Sequence, residues 1–570
     1  MKNFPEKLVL GIALALIFFL SFFGMADKSM IWDERCYIGA GKYIIKTGNF
    51  EYNVFRAHPL MSFYINSIFL LPLHFDEKIY LEDDCWQIGY DMVYHSGYSP
   101  QMVLILARLP FILMSMILAL FVFSWAKQLY GIKSGLLALG LYAFSTSIIS
   151  QSNVALTDFT VTFFIFLTVY YYWKFKSFSM KRHIYLASVF LGFSLLSKLT
   201  GLVLIPALLI LEFYVALKSP GAKNFLSSAK RLLMIFLIAF LVMFAAFGFQ
   251  FKTLKSVMPK HYIDRAYEEF GNKLHNEKIR SVAVYTFEKI PIPIPAYFFG
   301  LGAVGFTSKE GIFSVFLDGK IFSTSPWYYP IAVFFYKTQV SLFLLFIISI
   351  ALFKKAKSKG MLDEYALMLP MAFIFILFML NKMTAGLRHI LPIYPLMFVF
   401  CSRAAKPKIR WLGFAMAILM AHYIISSLII FPNYFSYFNE IAGGASNGYM
   451  HLVGANLDNG QDLPGLKKYM EEKGIPKINL SYFGSVDPKE YVNYEYMPSP
   501  YFQQWVPDYR QYITVTKRNE DCSARKGIIA ISATNLQNVH MINQTCFDWL
   551  KKKRPIEKIG YSIFVYNITQ

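Results

Sequence analysis

Charge is what this 570-residue sequence has least of. Asp, Glu, Lys and Arg together make up 16% of it, against roughly 25% in soluble domains. Acids are the scarcer sign, 35 against 56 Lys and Arg. Cysteine stops at five, too few for a disulfide-dense scaffold. There is no Walker-type Gly-rich loop, no CxxC pair and no HExxH, so P-loop, thioredoxin-like and zincin chemistry have no motif to rest on. Internal repeats and low-complexity segments are also missing. What fills the chain is apolar: 56% hydrophobic residues, including 56 Phe and 38 Tyr. A soluble protein could not hide that much apolar surface, so the fold class is a polytopic α-helical membrane protein. The net charge of +21 then reads as cationic loops on the cytoplasmic face, not as a nucleic-acid surface.

A spanning helix needs about 20 apolar residues. Eleven candidates stand near 8–25, 102–125, 134–153, 159–173, 184–197, 201–217, 232–250, 330–353, 365–380, 389–402 and 411–431. The first could be a signal peptide, but no small-residue cleavage site follows it, and an uncleaved span is preferred. Six connecting segments (1–7, 126–133, 174–183, 218–231, 353–360 and 402–410) hold 20 basic residues and one acid, Glu6. The segment 26–100 holds ten acids and six bases. The positive-inside rule makes the six basic segments and the N-terminus cytoplasmic. Segments 26–100, 251–329 and 381–388 and the tail from 432 are then outside. The apolar runs 59–73 and 290–305 read as re-entrant or interfacial helices.

The division predicted is 1–431 as the membrane domain and 432–570 as a small extracytoplasmic α/β domain. In the latter a helix at Leu463–Lys473, stopped by Gly474, precedes strands at 478–483, 527–532 and 560–566. Cys36 and Cys85 share the first outer segment, Cys522 and Cys546 share the tail, and Cys401 sits alone at an inner helix end. Two outer disulfides suit an oxidising exterior; four free thiols are the alternative.

Against so apolar a background, the charges at the outer helix ends stand out. They are Asp33 and Glu34 in MIWDERCY, His58 in FRAHPL, Asp158 in ALTDFTVTFF, Lys198 in LLSKLTGL, and Lys382 and Arg388 in NKMTAGLRHILPIYP. Ionisable residues at membrane depth are expensive and read first as a functional site. Each also has a plainer reading. Lys and Arg near helix ends can snorkel to the interface. Asp158 or Thr157 can cap a helix, and Asp33-Glu34 can be an acidic cap. His58 can be a simple interfacial residue. Together, two acids able to take a proton and cations able to hold a phosphate suit transfer from a lipid phosphate whose tail stays in the bilayer.

In these residues the sequence resembles the GT-C membrane glycosyltransferases of the protein O-mannosyltransferase and lipid A aminoarabinose transferase superfamily. WDERCYIGAGKYIIKTGNFEYNVFRAHPL resembles its first outer loop, although His58-Pro59-Leu60 lacks the second Pro of the family's element. ALTDFTVTFF, GFSLLSKLTGLVLIP and GLRHILPIYPL resemble the second acidic element, the Lys hairpin and the late Arg element. PNYFSYFNEIAGG, NLDNGQDL and SYFGSVDP resemble a bacterial subgroup with an outer C-terminal domain, with Asn459 where Trp is expected. The resemblance implies inverting transfer of a sugar from a polyprenyl-phosphate carrier to a glycan, lipid or protein acceptor outside a bacterial plasma membrane. It implies Asp33 as base with Glu34 beside it and Asp158 as second acid. Lys198, Arg388 and His58 would bind the donor phosphate. It leaves a divalent metal near the acids open. The rival reading is a transporter or flippase of a lipid-linked or anionic solute. Such proteins often have repeated halves and mid-span breaks, and neither is evident here.

Overall fold

A computed structural model describes residues 6–50, 58–81, 84–218, 221–311, 313–358, 360–383, 386–407, 409–499 and 521–569. Among them six helices are long and apolar enough to cross a membrane: Glu6–Met25, Pro100–Tyr130, Leu199–Lys218, Ala222–Ala246, Met361–Leu380 and Arg410–Ile429. Two bent pairs raise the number to eight if each is one span. Helices Thr157–Phe178, Lys181–Ser197 and Ile393–Cys401 lie where the other three predicted spans fall.

The bent pairs correct the sequence reading, which expects no breaks. Ile132–Ala143 turns by 58° into Thr146–Ser152, and Tyr329–Lys337 by 108° into Val340–Ala351. Both breaks fall at polar triplets, Ser145-Thr146-Ser147 and Lys337-Thr338-Gln339. Buried backbone freed by a break needs new partners, and the second break supplies one to the first. The Gln339 Oε1 accepts the Thr146 N–H at 3.3 Å, while its Nε2 donates to Tyr423 O at 2.8 Å.

Between the first span and Pro100, helices Glu34–Thr47, Met61–Ser67 and Cys85–Tyr94 pack together. The apolar run from residue 59 does not span; its helix continues only to Leu70. Small residues set how near these helices come. A Cβ on Gly39 would meet Gly89 N at 2.7 Å, and one on Gly41 would collide with the carbonyl of Phe63. Across the first of these approaches Cys36 and Cys85 are joined as a disulfide. The apolar stretch near 290–305 forms helix Pro295–Glu310.

The tail holds a five-stranded mixed sheet in the order Tyr494–Tyr496, Ile478–Ser481, Gly527–Ser532, Ile563–Ile568, Glu557–Ile559. The first three are mutually parallel and the last two pair antiparallel. The helix Leu463–Glu472 ends before Gly474, whose φ of 62° closes it. The last long strand starts at Ile563, not 560, because residues up to Tyr561, at φ 63°, form the turn. The two three-residue edge strands escape sequence reading because they are too short to show a period. A second disulfide joins Cys522 to Cys546, and Cys401 is a buried free thiol.

The tail docks on the segment after the first span. Ser29 and Trp32 donate their N–H groups to Gln461 O (3.0 Å) and Asn459 O (3.2 Å). Lys28 pairs with Asp462 at 2.6 Å, and Arg35 Nη1 donates to Ser485 O at 2.6 Å. The NLDNGQDL segment thus joins the tail to the loop that carries Asp33.

Candidate active site

One cleft of about 300 Å³ opens where the membrane helices meet the tail domain, within the range of ligand pockets. Asp33, His58, Asp158, Lys198 and Arg388 all line it, although they are spread over more than 350 residues. Local structure explains each position. Asp33 precedes helix Glu34–Thr47 at the N-cap place, yet its side chain makes no cap hydrogen bond. It pairs with Arg388 Nη1. Asp158 lies inside the first turn of Thr157–Phe178, two residues past the N-cap place held by Leu156. It accepts from Lys198 Nζ at 2.6 Å. Lys198 sits on extended backbone (φ −162°, ψ 149°) between two helical segments, and Arg388 lies in the turn Gly386–Ile390. The cleft is therefore built on two carboxylate–cation pairs. Lys382 is not among its lining residues.

The charges answer to their surroundings. Burial would raise the Asp33 carboxyl, but Arg388 outweighs it and holds the group below its ordinary 3.8. Burial lowers the Lys198 ammonium, opposed by Asp158. Burial, then Lys198, lowers the His58 imidazole from 6.5 to about 4. His58 thus enters the cleft as a neutral ring, able to meet a phosphate by a hydrogen bond and not by charge. Its Nδ1, the Arg388 Nε and the Thr200 hydroxyl are buried with no hydrogen-bond partner. All three belong to cleft-lining residues, and they leave polar valence for a ligand to satisfy.

The depressed His58 value has a consequence with a definite sign. Folding that keeps the ring neutral is favoured above the unfolded value of 6.5, and this contribution is lost as pH falls through about 4. A rate or binding limb from this ring near pH 6.5 is not expected. Donor KM measured from about pH 5.5 to 8 should have the same shape in wild type and His58→Gln. A limb near pH 6.5 that disappears in His58→Gln would contradict a neutral His58.

Glu34 stands apart from the cleft, which corrects its expected place beside the base. It is fully buried and is not among the residues that line the cleft. Arg108 donates to it from Nε (2.8 Å) and Nη2 (2.7 Å), and the N–H groups of Ile31 and Ala155 complete the set at 3.0 and 2.8 Å. Both oxygens are occupied. Glu34 locks the loop carrying Asp33 to the span Pro100–Tyr130 and to the approach to Asp158.

Each cleft carboxylate already faces a cation, and among the described residues no three His, Cys, Asp or Glu side chains converge to hold a metal.

Sequence reasoning missed the cleft's other walls. Tyr37 follows Asp33 by one helical turn; burial and then Asp33 push its hydroxyl well above 10, leaving a neutral donor. Trp32, Phe483 and His540 form a ladder with ring centroids 5.3 and 5.5 Å apart. Tyr37 and Trp32 could have been found as near neighbours of Asp33. Nothing in the sequence marks Phe483, His540 or Asn456 as parts of this cleft.

Residues 57–255 match the family model of dolichyl-phosphate-mannose-protein mannosyltransferase, which bears out the resemblance read from the sequence. That stretch includes His58, Asp158 and Lys198, while Asp33 and Arg388 lie outside it. Among solved structures, the chain is similar to the S. cerevisiae protein O-mannosyltransferase Pmt1–Pmt2 complex bound to the sugar donor. There the identity is 18% over 44% of this chain and 34% of the yeast chain, with a TM-score of 0.36. It is similar to ArnT from Cupriavidus metallidurans bound to undecaprenyl phosphate, at 10% identity over 99% of this chain and 98% of that one, with a TM-score of 0.46. A third is the archaeal oligosaccharyltransferase AglB from Archaeoglobus fulgidus in complex with an inhibitory peptide and a dolichol-phosphate. That match has 13% identity over 100% of this chain and 75% of that one, with a TM-score of 0.46. No curated protein sequence matches this chain.

Proposed function

We propose that the protein transfers a sugar from a polyprenyl-phosphate-linked donor to an acceptor on the extracytoplasmic face, with inversion at the anomeric carbon. The observation that carries this reading is the pair of carboxylate–cation contacts, Asp33–Arg388 and Asp158–Lys198, in one cleft. The Lys and Arg distribution supports a cytoplasmic N-terminus, and with it a cleft at the outer boundary of a bacterial plasma membrane. The family match over 57–255 supports a lipid-phosphate sugar as donor.

The chemistry follows from competition for Arg388. A donor phosphodiester is anionic and draws the guanidinium away from Asp33. The freed carboxylate accepts the acceptor hydroxyl's proton as that oxygen attacks the anomeric carbon. The bond from that carbon to the phosphate oxygen breaks, and the polyprenyl phosphate leaves with the electron pair. Direct displacement inverts the centre. Lys198, close to Asp158, meets the charge that develops on the leaving group. Asp158 holds Lys198 in place and is available to the acceptor.

Broken spans are the one feature that favours a transporter. The breaks at 144–145 and 338–339 bond to one another through Gln339, and none of these residues lines the cleft.

The test is Lys198→Met and Arg388→Gln, singly and together, with donor KM and kcat measured. Charge-assisted hydrogen bonds are worth about 1.5–3 kcal/mol, so each single change should weaken donor use about 10- to 100-fold. The double loss should be smaller than the product of the single losses, because groups holding one phosphate act as a unit. Arg388→Lys should also be impaired, since the bidentate fork is lost. Single losses that multiply independently, or a change in acceptor KM alone, would rule out a shared phosphate site.

A further inference from the structure

Two tail motifs, PNYFSYFNEIAGG and NLDNGQDL, supply none of the groups the proposed chemistry uses, yet they form a strap from the last span to the cleft. Asn439 pins its middle to the second helix break. The Nδ2 of Asn439 donates to Phe335 O (2.6 Å) and Thr338 O (2.8 Å), and its N–H to Tyr336 O (3.0 Å). Lys337, at that same break, is buried. It donates to two main-chain carbonyls of the strap, Phe435 O at 3.0 Å and Asn456 O at 2.6 Å. A lysine is costly to bury, and here it ties both ends of the strap to one point.

The far end of the strap reaches the turn that carries Arg388. Asn456 is 2% exposed and lines the cleft. Its Oδ1 accepts the Leu387 N–H at 3.0 Å, and its Nδ2 donates to the Tyr329 hydroxyl at 3.0 Å. Gly386, at φ 75°, packs so closely on this amide that a Cβ there would collide with it. Tyr329 and Lys337 are eight residues apart on one helix, about two turns, so one helical face grips both the side chain and the main chain of Asn456.

We propose that Asn456, held by Tyr329 and Lys337, is the positioning residue for Arg388, and that the strap thereby couples the tail domain to the donor-phosphate site. The inference rests on the donor-site reading above. Arg388 Nε has no partner, so the direction of the guanidinium depends on its turn as well as on Asp33. Asn456 fixes that turn at the residue before Arg388. It touches no reacting atom in this scheme.

Binding of undecaprenyl phosphate to the purified full-length protein tests this, with thermal unfolding as the control for folding. Arg388→Gln should weaken binding at least about tenfold. Asn456→Ala should weaken it about 5- to 20-fold, because a misplaced charge loses most of its bidentate contact. In the Arg388→Gln background the same change should cost less than about twofold, the mark of groups acting through one another. Tyr329→Phe, which removes one partner of Asn456 and keeps the ring, should act in the same direction more weakly, and it makes the comparison if Asn456→Ala does not fold. An equal loss with and without Arg388 would overturn the proposal, as would unchanged binding in both Asn456→Ala and Tyr329→Phe. If Arg388→Gln itself leaves binding unchanged, the donor-site reading falls and takes this inference with it.

Discussion

Asp33→Asn is expected to lower sugar transfer at least about 100-fold, the lower end for loss of a general base, while undecaprenyl phosphate binds more tightly than to wild type. The two effects have one cause. Arg388 is paired with Asp33, so an incoming phosphate must compete with a carboxylate for the guanidinium. Asn keeps the size and a hydrogen-bonding oxygen but has neither the basicity nor the charge. Arg388 is then free for the phosphate. The tightening should disappear in Arg388→Gln, whereas simple repulsion between Asp33 and the phosphate would persist there. Turnover above half of wild type in Asp33→Asn would remove Asp33 from the mechanism. Unchanged or weaker phosphate binding would remove the competition.

The largest effect on stability is expected at Glu34. Glu34→Leu leaves Arg108 fully buried with only the carbonyls of Met25, Lys28 and Ser29 as partners. Breaking a buried ion pair from one side costs about 3–5 kcal/mol. Glu34→Leu combined with Arg108→Met removes the stranded charge and should recover part of the loss. Recovery stays incomplete because the N–H groups of Ile31 and Ala155 also lose their acceptor. Thermal unfolding of the three variants measures this. The milder Glu34→Gln separates the two roles: turnover per folded molecule should stay near wild type. A well-folded Glu34→Gln with turnover as low as Asp33→Asn would return Glu34 to the chemistry.

The apolar runs were enough to locate each predicted span's helix to within a few residues, except at the far ends of the helices Pro100–Tyr130 and Thr157–Phe178 and at both ends of the predicted span 232–250, whose helix is Ala222–Ala246. With the Lys and Arg distribution they were also enough to gather Asp33, Asp158, Lys198, Arg388 and His58 at one boundary, because charge is rare enough in this chain for each exception to carry information. The same rule applied inside the spans would have found Arg108, a single cation in VLILARLPFIL, and with it the true partner of Glu34. A search for polar triplets inside apolar runs would likewise have marked the helix breaks, at 145–147 and 337–339. The tail's share of the cleft was not legible. Asn456, Phe483 and His540 reach it through loops whose placement depends on docking between segments hundreds of residues apart, and no local period records that. The ionisation of His58 was hidden for a related reason, since it depends on burial beside Lys198.

The central claim, cleavage of a lipid-linked sugar in this cleft, is tested most directly in proteoliposomes supplied with undecaprenyl-phosphate-linked hexoses and pentoses and a crude extracytoplasmic acceptor fraction. Free undecaprenyl phosphate is followed by mass spectrometry for wild type and Asp33→Asn. The expected result is time-dependent release with at least one of the sugars, reduced at least about 100-fold in Asp33→Asn. Movement of intact lipid-linked sugar across the bilayer, with no release of undecaprenyl phosphate by wild type, would contradict the account and establish a transporter in its place.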